Sequence, residues 1–176
     1  MIISWHGFYT IKIISKGKVL VIDPHSPETG LKPLRVNTDI VALSNPSDPK
    51  MSHYESLQNN PLIINTPGEY SIGHLTLYAF GWHAKNQSER SIQRWHIEDM
   101  IILYLGNLHR DLTDQELQEL EYTDIDILFV PLCEAKELNV NIPMKWISVI
   151  EPKVIIPINY QLLRKFEGSF ESVKYR

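Results

Sequence analysis

The stretch that decides the fold is Asp39-Ile40-Val41-Ala42-Leu43, followed by Ser44-Asn45-Pro46-Ser47-Asp48-Pro49-Lys50. Its first part is a continuous apolar run, which is typical of a buried strand. Its second part is a short polar loop, and α/β folds place their chemistry in loops that follow the carboxyl ends of such strands. This loop contains no histidine, no cysteine and a single carboxylate, Asp48. The sequence therefore predicts a functional position that is poor in reactive groups.

Length and composition predict a single domain over residues 1–176. Of the 176 residues, 43% are hydrophobic and 22% are charged, which is ordinary for a globular domain large enough to bury a core. The net charge is −4, so we expect no nucleic-acid partner, because such partners need a basic face. The single cysteine, Cys133, excludes an internal disulfide, and we expect it to be a small buried apolar residue.

The sequence also predicts a cytoplasmic protein that does not enter a membrane. No apolar run approaches the ~20 residues that are needed to span a bilayer. The N-terminal residues 1–6 lack the basic and apolar regions of a signal peptide. One cysteine agrees with a reducing compartment.

Hydrophobic patterning predicts strands in the first two thirds of the chain and alternating strands and helices in the last third. The capping box at residues 113–116 begins one short helix, and Pro143 suits the first turn of another. Residues 51–57 are predicted to form one or two helical turns. Two mixed sheets packed face to face, with helices outside, accommodate this order, so the fold class is α+β (α/β). The predicted strands are three within 1–23, then 39–43, 62–64, 74–81, 91–96, 100–105, 125–132 and 154–156.

Six short motifs occur in a fixed order along the chain. They are Trp5-His6-Gly7, Val21-Ile22-Asp23-Pro24, the strand that ends at Ser44, Pro67-Gly68-Glu69-Tyr70, Leu105-Gly106-Asn107-Leu108 and Ile156-Pro157-Ile158-Asn159-Tyr160. Over about residues 2–160 the chain resembles the metallo-β-lactamase superfamily, in its small metal-dependent hydrolase branch that includes the L-ascorbate-6-phosphate lactonase-like proteins. The resemblance implies a four-layer αβ/βα sandwich with a metal site at one edge of the sheets.

The resemblance also implies where that family's metal ligands would fall. Its His-x-His-x-Asp-His motif falls on the loop after strand 39–43. The three histidine positions of that motif carry Asn45, Ser47 and Pro49, and the aspartate position keeps Asp48. The aspartate of the Leu-Gly-Asp turn falls on Asn107, and the histidine after Ile-Pro-Ile falls on Asn159. The histidine of an early Gly-His-Ser motif falls on Phe8, and a histidine that ends the middle strand falls on His83.

These replacements remove most of the donor atoms that zinc uses. Zinc sites use imidazole, thiolate or carboxylate groups, three or four per ion, and Asp48 with His83 supplies two at most. Without a metal, water keeps a pKa near ~15.7 instead of ~7, so no hydroxide nucleophile forms at neutral pH. We therefore predict a non-catalytic protein without a cofactor. Its vestigial pocket is predicted to contain Asn45, Ser47, Asp48, His83, Asn107 and Asn159.

Alternatives stay open at this point. A metal-dependent hydrolase of ester, lactone or phosphodiester bonds could hold zinc or another divalent metal on a shifted ligand set of His6, His25, Asp48 and His83. Asp48 could instead accept backbone N–H groups within its own loop, as Asx turns do. The partner of a non-catalytic protein is predicted to be a small polar ligand or another protein, and a homo-oligomer is a further alternative.

Overall fold

The computed structural model describes residues 1–83, 89–120, 124–134, 137–138 and 140–160, and two β-sheets account for most of them. The first sheet has five strands in sequence order. Its first three strands are antiparallel neighbours, and its last three run parallel. The strands are β1 (Ile2–Trp5), β2 (Ile11–Ser15), β3 (Lys18–Ile22), β4 (Ile40–Ala42) and β5 (Leu62–Ile64).

The second sheet has six strands in the order β13-β10-β9-β8-β7-β6. Strands β13, β10 and β9 run parallel, and β9, β8, β7 and β6 are antiparallel neighbours. The strands are β6 (Gly68–Ile72), β7 (Leu75–His83), β8 (Glu89–Ile97), β9 (Met100–Tyr104), β10 (Ile127–Pro131) and β13 (Val154–Ile158). A separate two-stranded pair consists of β11 (Cys133–Glu134) and β12 (Glu137–Leu138).

Two α-helices lie in the last third of the chain, as predicted. Helix α1 (Asp114–Leu120) begins with the predicted capping box. The Glu116 N–H donates to Thr113 Oγ1 over 3.2 Å, and the Thr113 N–H donates to Glu116 Oε2 over 2.8 Å. Helix α2 (Asn141–Ile150) buries Pro143 and Trp146. The capping box explains why α1 begins where it does, and the buried apolar side explains why α2 is helical.

The main core lies between the two sheets. Alternation places every second side chain of each strand on the inner face, and burying each large one stabilises the fold by about 1.5–3 kcal/mol. The first sheet contributes Ile11, Ile13, Leu20, Ile22, Ile40, Ala42 and Ile64. The second sheet contributes Leu75, Leu77, Ala79, Trp95, Ile97, Ile102, Tyr104, Ile127, Phe129 and Ile158.

The outer faces of the two sheets are covered differently. Both helices pack on the second sheet, in a cluster that includes Leu103, Leu128 and Trp146. The first sheet buries Val21 and Val41 under loop residues. The α+β sandwich of two mixed sheets is therefore present, but among the described residues α-helices cover one outer face, and loops cover the other where the αβ/βα order predicts a helical layer.

The prediction of helical turns over residues 51–57 is wrong. These residues form separate turns, closed by the bonds from Met51 N–H to Asp48 C=O and from Leu57 N–H to Tyr54 C=O. The backbone N–H of His53 donates across to the Pro24 carbonyl at 2.9 Å. Because the His53 N–H donates to another loop, it cannot donate to a carbonyl within its own segment as a helix requires, and the segment forms turns instead.

Two strand predictions also need correction. The Pro67-Gly68 pair predicts a turn over residues 65–70, but Gly68–Ile72 is a strand that pairs with β7. The apolar run 154–156 predicts a buried strand, yet in β13 Val154 and Ile155 are 47% and 44% exposed. Among the described residues β13 pairs with β10 alone, so it lies at an edge of the sheet. No helix in the described part of the chain is long and apolar enough to cross a membrane.

The fold brings the carboxyl ends of strands from both sheets to one edge, which we call the site edge. Strands β3, β4, β9 and β13 end there. The Ser91 N–H donates to the Ser44 carbonyl over 2.8 Å, and the Asn159 N–H donates to the Phe8 carbonyl over 3.1 Å. These two bonds join the first sheet and its β1–β2 loop to the second sheet, so that loops distant in sequence become neighbours.

Candidate functional site

Asp23 is the centre of a buried hydrogen-bond cluster at the site edge, which we call the floor (Asp23, Ser44 and Tyr104). Asp23 Oδ1 accepts the Ser44 N–H at 2.7 Å. Asp23 Oδ2 accepts the Ser44 hydroxyl at 2.5 Å and the Tyr104 hydroxyl at 2.6 Å. All three residues are essentially inaccessible to solvent. The cluster therefore holds an ionisable group away from water.

The floor has unusual acid–base properties. Burial raises the pKa of Asp23 to about 7, although the hydrogen bonds from Ser44 and Tyr104 act in the opposite direction. Burial, together with the neighbouring Asp23, raises the pKa of Tyr104 well above its usual value. Desolvation disfavours the charged form of an acid, and here it outweighs the hydrogen bonds that favour it. Asp23 therefore gains and loses its proton near neutral pH within the folded protein.

Local sequence explains how the floor assembles. Asp23 follows the last residue of β3, and its N–H continues the pairing by donating to the Ala42 carbonyl at 3.0 Å. Gly106 follows β9 with a φ of 59°, which favours glycine, and a Cβ there would lie 2.6 Å from Ser44 Oγ. A side chain at position 106 would push the turn away from Ser44.

His25 is tied into the same region. The Thr10 hydroxyl oxygen lies 2.7 Å from His25 Nδ1 and 2.7 Å from the Asp23 carbonyl oxygen. His25 Nε2 lies 3.1 Å from the Lys32 carbonyl, to which it donates, and the Thr10 hydroxyl donates to the Asp23 carbonyl. Burial lowers the pKa of His25. Both ring nitrogens therefore have partners within the protein.

Above the floor lies a second network, the rim (Tyr9, Asn107 and Asn159). The Tyr9 hydroxyl donates to Asn107 Oδ1 over 2.8 Å, and Asn159 Nδ2 donates to the Tyr9 hydroxyl oxygen over 2.7 Å. Tyr9 is 2% exposed, and Asn159 is also buried, with a left-handed φ of 57°. Two asparagines at expected ligand positions are thus joined through one phenol.

The loop after β4 occupies the remaining part of the site edge. Asn45 is buried, Ser47 is exposed and Asp48 is half-buried. Asp48 Oδ1 accepts the Lys50 N–H at 2.9 Å, so the prediction that Asp48 accepts a backbone N–H within its own loop is confirmed. Pro49 is exposed.

One cation lies beside the rim. Arg90 Nη1 donates to the Asn107 carbonyl over a long 3.5 Å, and its guanidinium carbon lies 5.3 Å from the centroid of the Trp82 ring. Burial lowers the pKa of Arg90, while the negative charge of Asp48 and the Tyr9 phenol act in the opposite direction. The loop after β4 and the rim therefore surround a positive charge.

The donor set of the described residues does not fit a zinc ion. Among their side chains, no group of three His, Cys, Asp or Glu residues converges closely enough to hold a metal. His6 is half-buried, with no hydrogen-bond partner at Nε2, and burial, Lys12 and His25 lower its pKa. His83 ends β7, and its side chain, like that of Cys133, lies outside the described part of the structure. The shifted set of His6, His25, Asp48 and His83 thus stays a prediction.

Sequence reasoning gave no role to Tyr9, Asp23, Arg90 or Tyr104. One signal was present for Asp23, because a carboxylate directly between a buried apolar strand and a proline is poorly placed to reach water. Tyr104 ends an apolar strand in the same way. The positions of Tyr9 and Arg90 depend on contacts between distant segments, which a single sequence does not reveal.

Solved structures share this architecture. A proposed Zn-dependent hydrolase of the metallo-β-lactamase superfamily from Thermotoga maritima aligns with a TM-score of 0.74 and 23% identity, over 90% of this chain and 75% of that one. A proposed metal-dependent hydrolase from Parabacteroides distasonis has a TM-score of 0.66 and 14% identity, over 90% and 82% of the two chains. YhfI of Bacillus subtilis, a metallo-β-lactamase fold protein, has a TM-score of 0.63 and 11% identity, over 93% and 90%.

Sequence comparison identifies the family. No curated protein matches the chain at a significant level. The family model of the beta-lactamase superfamily domain, however, matches residues 2–159. That range includes both sheets, the floor, the rim and the loop after β4. The chain therefore belongs to the beta-lactamase superfamily and has the metallo-β-lactamase fold.

Proposed function

We propose that this protein is a non-catalytic binding protein of the small metal-dependent hydrolase branch, and that the centre of its fold holds no metal ion. The observation that carries the proposal is the Tyr9 bridge. The two rim amides, Asn107 and Asn159, each use a polar atom on the Tyr9 hydroxyl. Side chains that are hydrogen-bonded to one another in this way are not arranged as ligands around a cation.

The chemistry of the donor set supports the same conclusion. Amide and hydroxyl oxygens bind zinc weakly, and proline offers no donor, whereas zinc proteins use imidazole, thiolate or carboxylate. The loop after β4 keeps one carboxylate, Asp48, and that carboxylate bonds to the backbone of its own loop. The hydrolytic reaction of the fold needs a metal-activated water, for which these residues provide no support.

The site edge is suited to binding instead. Its rim combines a phenol with two amides, and such groups donate and accept hydrogen bonds without adding charge. Deep burial of Tyr9 and Asn159 fixes their geometry before a ligand arrives, which reduces the entropic cost of binding. A small polar ligand is the partner that we propose, with another protein as the alternative. Cytoplasmic location, lack of nucleic-acid binding and a homo-oligomer stay predictions.

One observation favours a second candidate, a metal-dependent hydrolase with shifted ligands. His6 Nε2 is buried, and the described part of the chain gives it no hydrogen-bond partner. A buried imidazole nitrogen without a partner is costly, and a metal ion would remove that cost. His25 cannot join it without losing its bonds to Thr10 and Lys32, which is why this candidate is second.

Elemental analysis of the purified protein tests the proposal. We expect no stoichiometric zinc, manganese or iron, and none after incubation with each metal followed by desalting. The matched control restores the family's His-x-His-x-Asp-His spacing around Asp48 by S44H, P46H and P49H, together with N107D and N159H, and this variant should retain zinc. Stoichiometric metal in the natural sequence, lost in His6→Ala or Asp48→Ala, would establish the hydrolase candidate and overturn the proposal.

A further inference from the structure

We propose that the rim binds a carboxylate group of a small ligand and that Arg90 is the cation that anchors it. This inference rests on the proposed function, because a metal ion in the centre would itself take the anion. It specifies the chemistry of the ligand that the neutral rim alone leaves open.

Arg90 has unused hydrogen-bonding capacity. A guanidinium carries five N–H donors, and the bond that the described residues give Arg90 is the 3.5 Å contact from Nη1 to the Asn107 carbonyl. That carbonyl already lies 3.1 Å from His109 Nδ1. Arg90 Nε is buried and has no partner among the residues that the structure describes. A buried donor without a partner is costly, and a ligand oxygen would relieve that cost.

Arg110 has a carboxylate partner within the chain, which none of the described residues provides for Arg90. The guanidinium carbon of Arg110 lies 4.7 Å from the centroid of the Trp82 ring, and that of Arg90 lies 5.3 Å from it. Arg110 is paired with the carboxylate of Glu116 through two bonds of 2.8 and 2.7 Å. Among the described residues, no carboxylate forms a salt bridge with Arg90. A ligand carboxylate would give Arg90 the two-bond pairing that Arg110 has from within the chain.

The surroundings of Arg90 set the charge of the ligand. Tyr9 and Asp48 lie close enough to act on the Arg90 charge, and the Asn107 backbone carbonyl lies 3.5 Å from Arg90 Nη1. The Tyr9 phenol and this carbonyl are neutral hydrogen-bonding groups near the cation. Asp48 adds one negative charge that repels further anions, so the site favours one negative charge over two. A carboxylate carries one, whereas inorganic phosphate is partly a dianion at neutral pH.

Titration with sodium acetate, followed by NMR of isotope-labelled protein, tests the inference. We expect acetate to shift the Trp82 indole and the Asn107 and Asn159 amide signals with saturation. Arg90→Gln should weaken acetate binding about tenfold or more, because it removes a charge-assisted pairing. Arg35→Gln, which removes an equal charge from an exposed position, should bind acetate like the natural sequence. Equal binding by Arg90→Gln, or no saturable shift in the natural protein, would overturn the inference.

Two further variants keep the test decisive if Arg90→Gln folds poorly. Arg90→Lys keeps the charge but loses the planar fork, so acetate binding should weaken. Asp48→Asn should strengthen phosphate binding relative to acetate, and no change in that ratio would contradict the role of Asp48. The metal content of the same sample separates the two proposals. Acetate binding through Arg90 in a metal-loaded protein would overturn the proposed function alone, whereas metal-free protein that ignores acetate would overturn this inference alone.

Discussion

The floor and the rim of the site edge are built from similar parts, yet they behave differently. In the floor a tyrosine and a serine donate hydroxyl groups to a carboxylate, Asp23. In the rim a tyrosine hydroxyl lies between two amides, Asn107 and Asn159. Both networks are buried and both connect the two sheets. They differ in that one contains an ionisable acid with a raised pKa and the other contains asparagine.

The difference shows that the floor serves to hold the fold together, whereas the rim lies at the expected position of the family's chemistry. The floor acid organises the chain, since it holds the Ser44 backbone and hydroxyl and the Tyr104 hydroxyl at once. The rim lies where the family's metal chemistry is expected, and it contains two amides in place of carboxylate and imidazole groups. An ionisable acid therefore lies where hydrogen bonds hold the fold together, and amides lie at two of the expected ligand positions.

Removing the floor acid should have the largest effect. Asp23→Ala leaves the Ser44 N–H and the Ser44 hydroxyl without their acceptor, while the Tyr104 hydroxyl keeps the Tyr9 carbonyl at 2.9 Å, so we expect a loss of about 3–5 kcal/mol in the free energy of unfolding. Urea denaturation measured at pH 7 would show it. The matched control is Asp48→Ala, because Asp48 is half-buried and bonds to its own loop, and it should cost below about 1 kcal/mol. Equal losses of unfolding free energy in both variants would show that Asp23 contributes no more to stability than Asp48.

The floor should also make stability depend on pH. The pKa of Asp23 is about 7 in the folded protein against a usual value of 3.8, so the folded state holds the extra proton between these values. The stabilisation from Asp23 is complete below pH 3.8 and is lost as the pH rises to about 7, at up to about 1.4 kcal/mol per pH unit.

Asp23→Asn cannot titrate and isolates this contribution. The difference in unfolding free energy between the natural protein and Asp23→Asn should shrink as the pH is raised from 5 to 8. The comparison cancels other acids such as Glu116, whose pKa the Arg110 pairing and the Thr113 hydrogen bonds lower although burial opposes them. A difference that is constant or grows with pH would mean that the hydrogen bonds, and not burial, determine the ionisation of Asp23.

Much of the fold was predictable from the sequence because local signals agree with the tertiary structure. The apolar run before Ser44, the hairpin of β8 and β9 and the Thr113 capping box each act over a few residues. The two sheets and the helices of the last third follow from such signals. The conformation of residues 51–57 did not follow from such signals, because it depends on a hydrogen bond between two loops. The edge position of β13 did not follow either, because it depends on which of the described strands pair in the folded sheet.

The site was predictable only in part. The resemblance indicated Asn107 and Asn159, and the structure brings both to Tyr9. It gave no role to Tyr9, which is 98 residues from Asn107 and 150 residues from Asn159 along the chain. A motif shows which residue replaces a ligand, but it does not show what the replacing side chain bonds to. That partner is set by the packing of the two sheets.

Disrupting the rim should have a smaller effect than disrupting the floor, and one without pH dependence. Tyr9→Phe removes the hydroxyl that joins Asn107 to Asn159, so we expect a loss of about 1–2 kcal/mol. Tyr54→Phe, at a side chain that is 36% exposed, is the matched control and should leave stability unchanged. Because the two asparagines that Tyr9 joins carry no titratable group, the Tyr9→Phe loss should be the same at pH 5 and at pH 8. A loss that grows toward pH 8 would mean that the rim responds to the ionisation of Asp23, and the two networks would then have to be treated as one.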